Sequence, residues 1–180
     1  MNIRRNNIVS AASVSCMILC LMLVSCRRTA PQSPANKTHA EDPIVAMTLV
    51  NMRMTEEADK QCTEYVKHTG QPYVLTECSC WILRNKRTDG VLFKKGDTVA
   101  LTAEISTLDS LMIENSEIRL EIGKNDALPC FDYILPLLHE GENVTAVVPF
   151  YLAYGKDGKG NVPPLTNCLI TISDITLVNE

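Results

Sequence analysis

Alternating apolar and polar residues mark two strands in the middle of the chain. From Val99 to Ile105 every second residue is apolar, and from Glu117 to Ile122 the letters EIRLEI repeat this pattern before Gly123. A period of two places the apolar side chains on one face of a sheet and the remaining ones on the other. We therefore predict two half-buried strands, the second of which ends at the glycine.

A helical segment precedes these strands. Residues Ala46 to Thr69 predict a long helix, with Thr48 and Thr55 available as caps and Gly70 directly after its last residue. Glycine readily adopts the left-handed backbone conformation that ends many helices. We therefore expect this helix to stop at Gly70.

A second helical period occupies residues 128–138. Four apolar residues fall on one helical face, namely Leu128, Phe131, Leu135 and Leu138. A proline in a helix interior costs about 3 kcal/mol because it lacks a backbone N–H, and Pro136 stands inside this segment. We predict a short helix here.

Three further strands complete the pattern. They are predicted at Val74–Asn85, around the single tryptophan Trp81, at Asn143–Pro149 and at Cys168–Val178. A chain rich in strands, with one short central helix and an additional N-terminal helix, is typical of the α+β class. We predict that fold class for the residues after the N-terminal region.

The first residues predict a targeting segment. Two arginines precede an apolar run from Ile8 to Val24, and the letters LVSC end this run at Cys26. This order is typical of a bacterial lipoprotein signal peptide, here residues 1–25, whose removal leaves Cys26 to carry lipid. The alternative is a single membrane-spanning anchor, which needs about 20 apolar residues. Either interpretation predicts a protein of the cell envelope that is held at a membrane and faces the periplasm.

Residues 26–43 are predicted to form a flexible tether. This segment contains three prolines and few apolar residues, so it buries too little surface to offset the entropy of ordering it. The rest, about 135 residues, is the usual size of one domain. Within it we assign residues 44–90 to an N-terminal helix and strand extension, and residues 91–180 to the main domain.

Charge and motif spacing argue against several functions. Residues 1–25 contain two of the 17 basic residues and none of the 21 acidic ones, so their removal leaves a net charge of −6. A nucleic-acid-binding surface is therefore not expected. His139 and Glu140 begin a metalloprotease-type pattern that Asn143 interrupts, and no G-K-S/T phosphate loop follows Gly160. We predict neither a metal nor a cofactor.

Five cysteines remain outside the targeting segment and Cys26. They are Cys62, Cys78, Cys80, Cys130 and Cys168. Being odd in number, they cannot all pair within one monomer. The C-x-C of Cys78 and Cys80 is expected to place both side chains on one face of a strand, and it resembles neither a C-x-x-C redox site nor a zinc knuckle. We favour reduced, buried thiols, with one or two disulfides as the alternative.

Five motifs, taken in order, resemble those of the FKBP-type peptidyl-prolyl isomerases. They are KKGDTVALTAEI from Lys94, IGKND from Ile122, LLHEGE from Leu137, VPFYLAYG from Val148 and VPPLTNCLITISDITL from Val162. The resemblance implies a curved antiparallel sheet wrapped around one short helix. The lipidation motif, the N-terminal helix and the segment TECSCWIL are also similar to the lipoprotein FKBPs of Bacteroidetes-type bacteria.

The resemblance also implies a proline-binding pocket. Tyr154 would hold the substrate carbonyl by its hydroxyl, Glu114 stands where the family has an aspartate, and Phe131 would form the pocket floor. The apolar substrate contacts would be Ile113, Ala127, Leu128, Val162 and Ile170. Residues 156–161 would form a loop that covers the proline ring.

Some positions depart from the family pattern. Ala103 stands in place of a strand tyrosine, Ile113 and Ile170 replace aromatic residues, and Phe131 replaces a tryptophan. The pocket should then remain apolar but become wider. We expect a slow isomerase, or one suited to different sequences around the proline.

We therefore predict a peptidyl-prolyl isomerase that assists the folding of exported proteins. Its partners would be proline-containing polypeptides and the membrane, which it would reach through lipidated Cys26. The alternative is a non-catalytic chaperone or binding lipoprotein of the same fold, which the missing aromatic residues favour. A structural or accessory envelope lipoprotein is a third hypothesis. The N-terminal helix is available as a homodimer contact or as an arm that holds clients.

Overall fold

The structure is a computed structural model that describes residues 43–178. The predicted signal peptide, the lipidated Cys26 and the tether up to residue 42 lie outside the described residues. The helices are α1 (Pro43–Thr69) and α2 (Pro129–Ile134), and short 3-10 helices lie at Leu135–Leu137 and Phe150–Leu152. The strands are β1 (Val74–Leu75), β2 (Trp81–Lys86), β3 (Thr98–Thr107), β4 (Met112–Glu121), β5 (Asn143–Val148) and β6 (Cys168–Leu177).

All six strands belong to one antiparallel sheet, in the order β1-β2-β5-β6-β3-β4. The pairing of β3 with β4 shifts register between Ile105 and Ser106, and the pairing of β3 with β6 shifts between Ala100 and Thr102. Such irregularities bend a strand and increase its twist. The sheet curves around α2, so the α+β prediction with an extra N-terminal helix is confirmed.

One apolar core lies between α2 and the inner face of the sheet. The alternate apolar residues of β3, from Val99 to Ile105, are all buried there, as the period of two predicted. Phe131 and Ile134 of α2 and Ile172 of β6 belong to the same core. Burial of a large apolar side chain contributes about 1.5–3 kcal/mol, so this cluster is the main source of the domain's stability.

Helix α1 covers the other face of the sheet. Cys62 and Val66 of α1 are buried against Val147 of β5, whereas its neighbours Ala146 and Val148 belong to the inner core. Because side chains alternate along a strand, Val147 must point to the outer face. From Ile44 onward the helix is thus part of the same folded unit as the sheet.

The beginning of α1 differs from the prediction. Within the described residues the helix starts at Pro43, and the hydroxyls of Thr48 and Thr55 donate to the carbonyls of Ile44 and Met52, each at 2.8 Å. Threonine inside a helix commonly bonds back to a carbonyl three or four residues earlier. The two threonines are therefore not caps. The predicted stop is confirmed, since Gly70 has φ +63.

The predicted strand Val74–Asn85 is divided by a turn. Ser79 has φ +65, and the backbone N–H of Thr76 donates to the carbonyl of Cys80 at 2.8 Å, so the chain reverses and β1 pairs with β2. The expectation that Cys78 and Cys80 share a strand face is wrong, because Cys78 lies in the turn. All five cysteines of the described residues carry free thiols.

The other predicted elements appear close to their expected places. Helix α2 is short, and Pro136 falls in the 3-10 turn that follows it. No helix within residues 43–178 is long and apolar enough to cross a membrane. The same residues contain no group of three or more His, Cys, Asp or Glu side chains arranged to hold a metal ion.

Candidate active site

A cavity of about 510 Å³ opens between the start of β4 and the loop that follows the second 3-10 helix. Its lining consists of Thr107, Leu111, Met112, Ile113, Glu114, Tyr154 and the segment 159–163. This volume is within the usual range for small-molecule and peptide side-chain sites. Four of the predicted site residues meet here: Ile113, Glu114, Tyr154 and Val162.

Tyr154 is the central polar group of this cavity. It follows the 3-10 helix Phe150–Leu152, and its hydroxyl donates to Glu114 Oε2 across a long distance of 3.4 Å. Burial raises the pKa of Tyr154 above its ordinary value, and the nearby Glu114 carboxylate raises it further. The phenol therefore stays protonated at neutral pH and remains a hydrogen-bond donor.

The loop next to Tyr154 is folded back on the wall of the cavity. Lys159 and Val162 exchange two backbone hydrogen bonds, of 3.2 and 3.0 Å. Gly158 has φ +70, and a Cβ atom added there would lie 2.2 Å from the carbonyl oxygen of Val162. Only glycine fits this position without a shift. Val162 itself is buried and precedes two prolines, which makes this wall stiff.

Phe131 and Ile170 lie beneath the site rather than on its surface. Phe131 is 1% exposed and Ile170 is 0% exposed, and neither lines the cavity. Their roles as the pocket floor and as a substrate contact stay predictions. Both pack in the core because one sits on the inward side of α2 and the other on the inner face of β6. Tyr154 and Ile113 pack against that same core, so the two buried residues support the site from below.

Ala127 and Leu128 lie on the loop that leads into α2. Both are half-buried against the core and are not among the residues that line the cavity. Their loop is held by Asp132, whose carboxylate accepts the backbone N–H of Gly123 at 2.7 Å and of Asn125 at 3.0 Å. The structure thus places this segment next to the core without bringing it to the cavity surface.

Some residues of the site were missed by sequence reasoning. Strand β4 starts at Met112, five residues before its predicted start at Glu117. The prediction missed these residues because the polar letters ENS interrupt the alternation. The sequence therefore gave no indication that Thr107, Leu111 and Met112 line the cavity. For Asp132 it gave a weak indication, because an acidic residue in the first turn of a helix can accept backbone N–H groups there.

Comparisons with known proteins bear on the fold and the family of this domain. Residues 91–173 match the family model described as FKBP-type peptidyl-prolyl cis-trans isomerase. No curated protein matches the sequence.

Several solved structures are similar. A peptidyl-prolyl cis-trans isomerase from Pseudomonas syringae pv. tomato has 17% identity and a TM-score of 0.57, with 69% of this chain and 94% of that chain covered. FkpA from Escherichia coli has 18% identity and a TM-score of 0.57, with 81% and 75% covered. The N-terminal domain of FKBP42 from Arabidopsis thaliana has 26% identity and a TM-score of 0.50, with 56% and 86% covered.

Residues 91–173 form an FKBP-type peptidyl-prolyl cis-trans isomerase domain. The fold class and the family resemblance predicted from the sequence are confirmed. This domain is of a family of peptidyl-prolyl cis-trans isomerases. The narrower similarity to Bacteroidetes-type lipoproteins stays a prediction.

Proposed function

We propose that this protein is a peptidyl-prolyl isomerase of the cell envelope that assists the folding of exported proteins and is attached to a membrane through lipidated Cys26. The observation that carries the catalytic part is the protonated Tyr154 hydroxyl beside Glu114, at an apolar cavity with a stiff wall. The envelope part rests on the sequence pattern of residues 1–26.

The reaction needs no nucleophile. A peptide bond is planar by resonance, and its rotation crosses a barrier of about 18–20 kcal/mol. In the twisted transition state this resonance is lost, so the carbonyl oxygen carries less negative charge and the amide is less strongly hydrated. A cavity that excludes water and fits the twisted amide better than the planar one lowers the barrier by differential binding.

Each side chain at the cavity has a role in this scheme. The Tyr154 hydroxyl donates to a carbonyl oxygen of the client and so holds one side of the rotating bond. Ile113 and Val162 contact the proline ring, and the loop closed by Lys159 and Val162 limits where the ring can lie. Glu114 orients the Tyr154 hydroxyl before the client binds. The proposal requires no cofactor.

A proline-limited peptide assay tests the catalytic part. In the chain from Arg27 onward, Tyr154→Phe removes one hydrogen-bond donor worth about 1–2 kcal/mol, so kcat/KM should fall roughly 5–30-fold. The matched control is Tyr133→Phe, because Tyr133 is 53% exposed and lies outside this cavity. Thermal unfolding should show that both variants are folded.

Ile113→Ala provides a second test of the same cavity. Loss of apolar contact with the ring should lower kcat/KM, while the half-buried position of Ile113 limits the loss of stability. Unchanged kcat/KM in both Tyr154→Phe and Ile113→Ala would show that the reaction does not use this cavity.

The surface of α1 favours a second candidate function, a non-catalytic chaperone or binding lipoprotein. Six apolar side chains near the start of the helix are at least 42% exposed: Ile44, Val45, Met47, Leu49, Val50 and Met52. Such a surface is suited to unfolded clients or to a second copy of the chain. Undetectable isomerisation together with suppression of client aggregation would select this function. Sedimentation of wild type and Met47→Glu would show whether the surface forms a homodimer.

A further inference from the structure

The turn between β1 and β2 brings two thiols together outside the isomerase cavity. Ser79, with φ +65, reverses the chain between Cys78 and Cys80. Only Ser79 separates the two cysteines, and Thr76 Oγ1 lies 3.1 Å from Cys78 Sγ. The Thr76 hydroxyl also contacts the carbonyl of Cys80, which separately accepts the Thr76 backbone N–H at 2.8 Å. The hydroxyl can therefore turn towards Cys78 without leaving that carbonyl unpaired.

The two thiols differ in access. Cys78 is half-buried and lines a cavity of about 380 Å³, together with Leu75, Thr76, Glu77, Tyr133 and Leu137. Cys80 is completely buried. A molecule in the cavity can thus reach Cys78, whereas Cys80 does not line the cavity.

The two thiols also differ in electrostatics. The pKa of Cys78 is lowered to about 5, chiefly because the Cys80 thiol donates to it, although burial opposes this effect. The pKa of Cys80 is raised, first by that same hydrogen bond and then by burial. The other titratable groups facing the pair are Glu77 in the turn, Tyr133 and Cys130 on α2, Cys62 on α1, and Tyr151 on the second 3-10 helix. Cys78 is thus suited to attack and Cys80 to resolve.

The surroundings indicate which disulfide would bind. Leu75 and Tyr133 are each 53% exposed and Leu137 is 42% exposed, so the cavity is framed by apolar side chains. Strand β1 is an edge strand of the sheet, and within residues 43–178 no strand pairs with its outer edge. Such an edge can accept an extended peptide by main-chain hydrogen bonds.

We propose that Cys78 and Cys80 form a thiol–disulfide exchange site for polypeptides whose disulfide is flanked by apolar residues. The Cys78 thiolate attacks one client sulfur, a Cys78–client disulfide forms, and the client S–S bond breaks. The second client sulfur leaves as a thiolate and takes the proton of the Cys80 thiol. The Cys80 thiolate then attacks Cys78 Sγ.

This second step completes the exchange. A Cys78–Cys80 disulfide forms, the mixed disulfide breaks, and the remaining client sulfur leaves as a thiolate that is protonated. The client disulfide is reduced to two thiols, and the two cysteines are oxidised. The sulfurs must approach to about 2.05 Å for this bond, and only Ser79 of the turn separates the two cysteines. The site is separate from Tyr154, so the isomerase reaction does not depend on it.

The test uses the full chain, with glutathione disulfide as the probe. Trypsin releases residues 68–84 as one peptide that contains Cys78 and Cys80 and no other cysteine. In the wild type this peptide should lose two hydrogen atoms on oxidation. In Cys80→Ser a glutathione adduct should persist on Cys78, and in Cys78→Ser the peptide should not react. An adduct that persists in the wild type as it does in Cys80→Ser would overturn the resolving role.

A pH profile tests the attacking role without any variant. Alkylation of Cys78 by iodoacetamide should rise much less between pH 6 and 8 than that of an unperturbed thiol, which with a pKa near 8.5 gains roughly 80-fold. Free glutathione alkylated in parallel is the control for an ordinary thiol. A rise at Cys78 like that of an ordinary thiol would overturn the assignment.

A comparison of probes tests the client class. The symmetric disulfide of Leu-Cys-Leu tripeptides should react at least about fivefold faster than glutathione disulfide, because its leucines contact the apolar frame of the cavity. Equal rates would overturn the assignment to apolar polypeptides. Isomerase activity in Cys78→Ser should equal that of the wild type, so failure of this proposal and failure of the proposed function can be told apart.

Discussion

The contact between α1 and the isomerase domain can be tested by removing one oxygen atom. The Tyr151 hydroxyl donates to Asp59 Oδ1 at 2.5 Å, and both side chains are half-buried. A short hydrogen bond to a carboxylate contributes about 1.5–3 kcal/mol. Because water can reach Asp59 and partly replace the phenol, we expect Tyr151→Phe to lower the free energy of unfolding by about 1.5 kcal/mol.

The expected shift in melting temperature follows from the size of the domain. At about 2.1 cal/mol/K of unfolding entropy per residue, a domain of this length loses roughly 3–4 °C per kcal/mol. Calorimetry should therefore show a Tm about 5 °C lower for Tyr151→Phe. Tyr133→Phe is the matched control, since Tyr133 is 53% exposed, and its Tm should stay within about 1 °C of the wild type.

A double-mutant cycle isolates the pairwise contribution. Tyr151→Phe combined with Asp59→Ala should show a coupling free energy of about 1 kcal/mol or more. Additive effects would mean that the two side chains do not interact in solution, and would refute this account of how α1 is held.

The stabilisation by Tyr151 should also depend on pH. Burial and the hydrogen bond to Asp59 both raise the pKa of Tyr151 above the value of about 10 of an unfolded tyrosine. The stabilisation that Tyr151 contributes to the folded protein is therefore fully present below about pH 10. It is lost as the pH rises through the pKa of Tyr151 in the folded state. The difference in stability between the wild type and Tyr151→Phe should narrow above about pH 10 in denaturant titrations.

Two further predictions concern the candidate active site. Gly158→Ala should destabilise the protein by about 1–3 kcal/mol and lower kcat/KM, because a Cβ atom meets the carbonyl of Val162 and φ is positive. Gly160 also has positive φ, but a Cβ atom there would meet open space, so Gly160→Ala should lower the free energy of unfolding in urea by only about 1 kcal/mol. Equal losses of stability in the two variants would contradict the close approach of Gly158 to Val162. Phe131→Ala should lower the free energy of unfolding by about 3–5 kcal/mol, because the side chain is buried in the core. A reduced kcat/KM with an unchanged Tm would instead place Phe131 on the substrate side.

The depth at which Phe131 and Ile170 lie could not be predicted from the sequence. Phe131 and Ile170 stand at positions that the family resemblance assigns to the pocket, but both are buried beneath it. A hydrophobic period indicates which face of an element is inward. It does not indicate whether an inward side chain borders an open cavity or fills the core, because that depends on which elements meet there.

The turn at Ser79 also could not be predicted from the sequence. The letters around Trp81 are rich in strand-forming residues and contain no glycine or proline at the turn itself, so they predicted one continuous strand. In the structure the segment instead forms two strands, because the chain reverses at Ser79, which has positive φ, and β1 pairs with β2. A serine in the left-handed region is uncommon and leaves no signal in the pattern.

The amino-acid sequence by itself determined the class of fold, the short α2 and the end of α1, since these follow from local periodicity, from Pro136 and from Gly70. It also carried the ordered motifs that identify the isomerase domain. Only the tertiary structure decided that Tyr154 meets Glu114, that α1 is bound through Tyr151, and that Cys78 faces a cavity with Cys80 behind it. Such contacts join residues through turns and strand pairings that are stabilised by the whole core, so no local pattern encodes them.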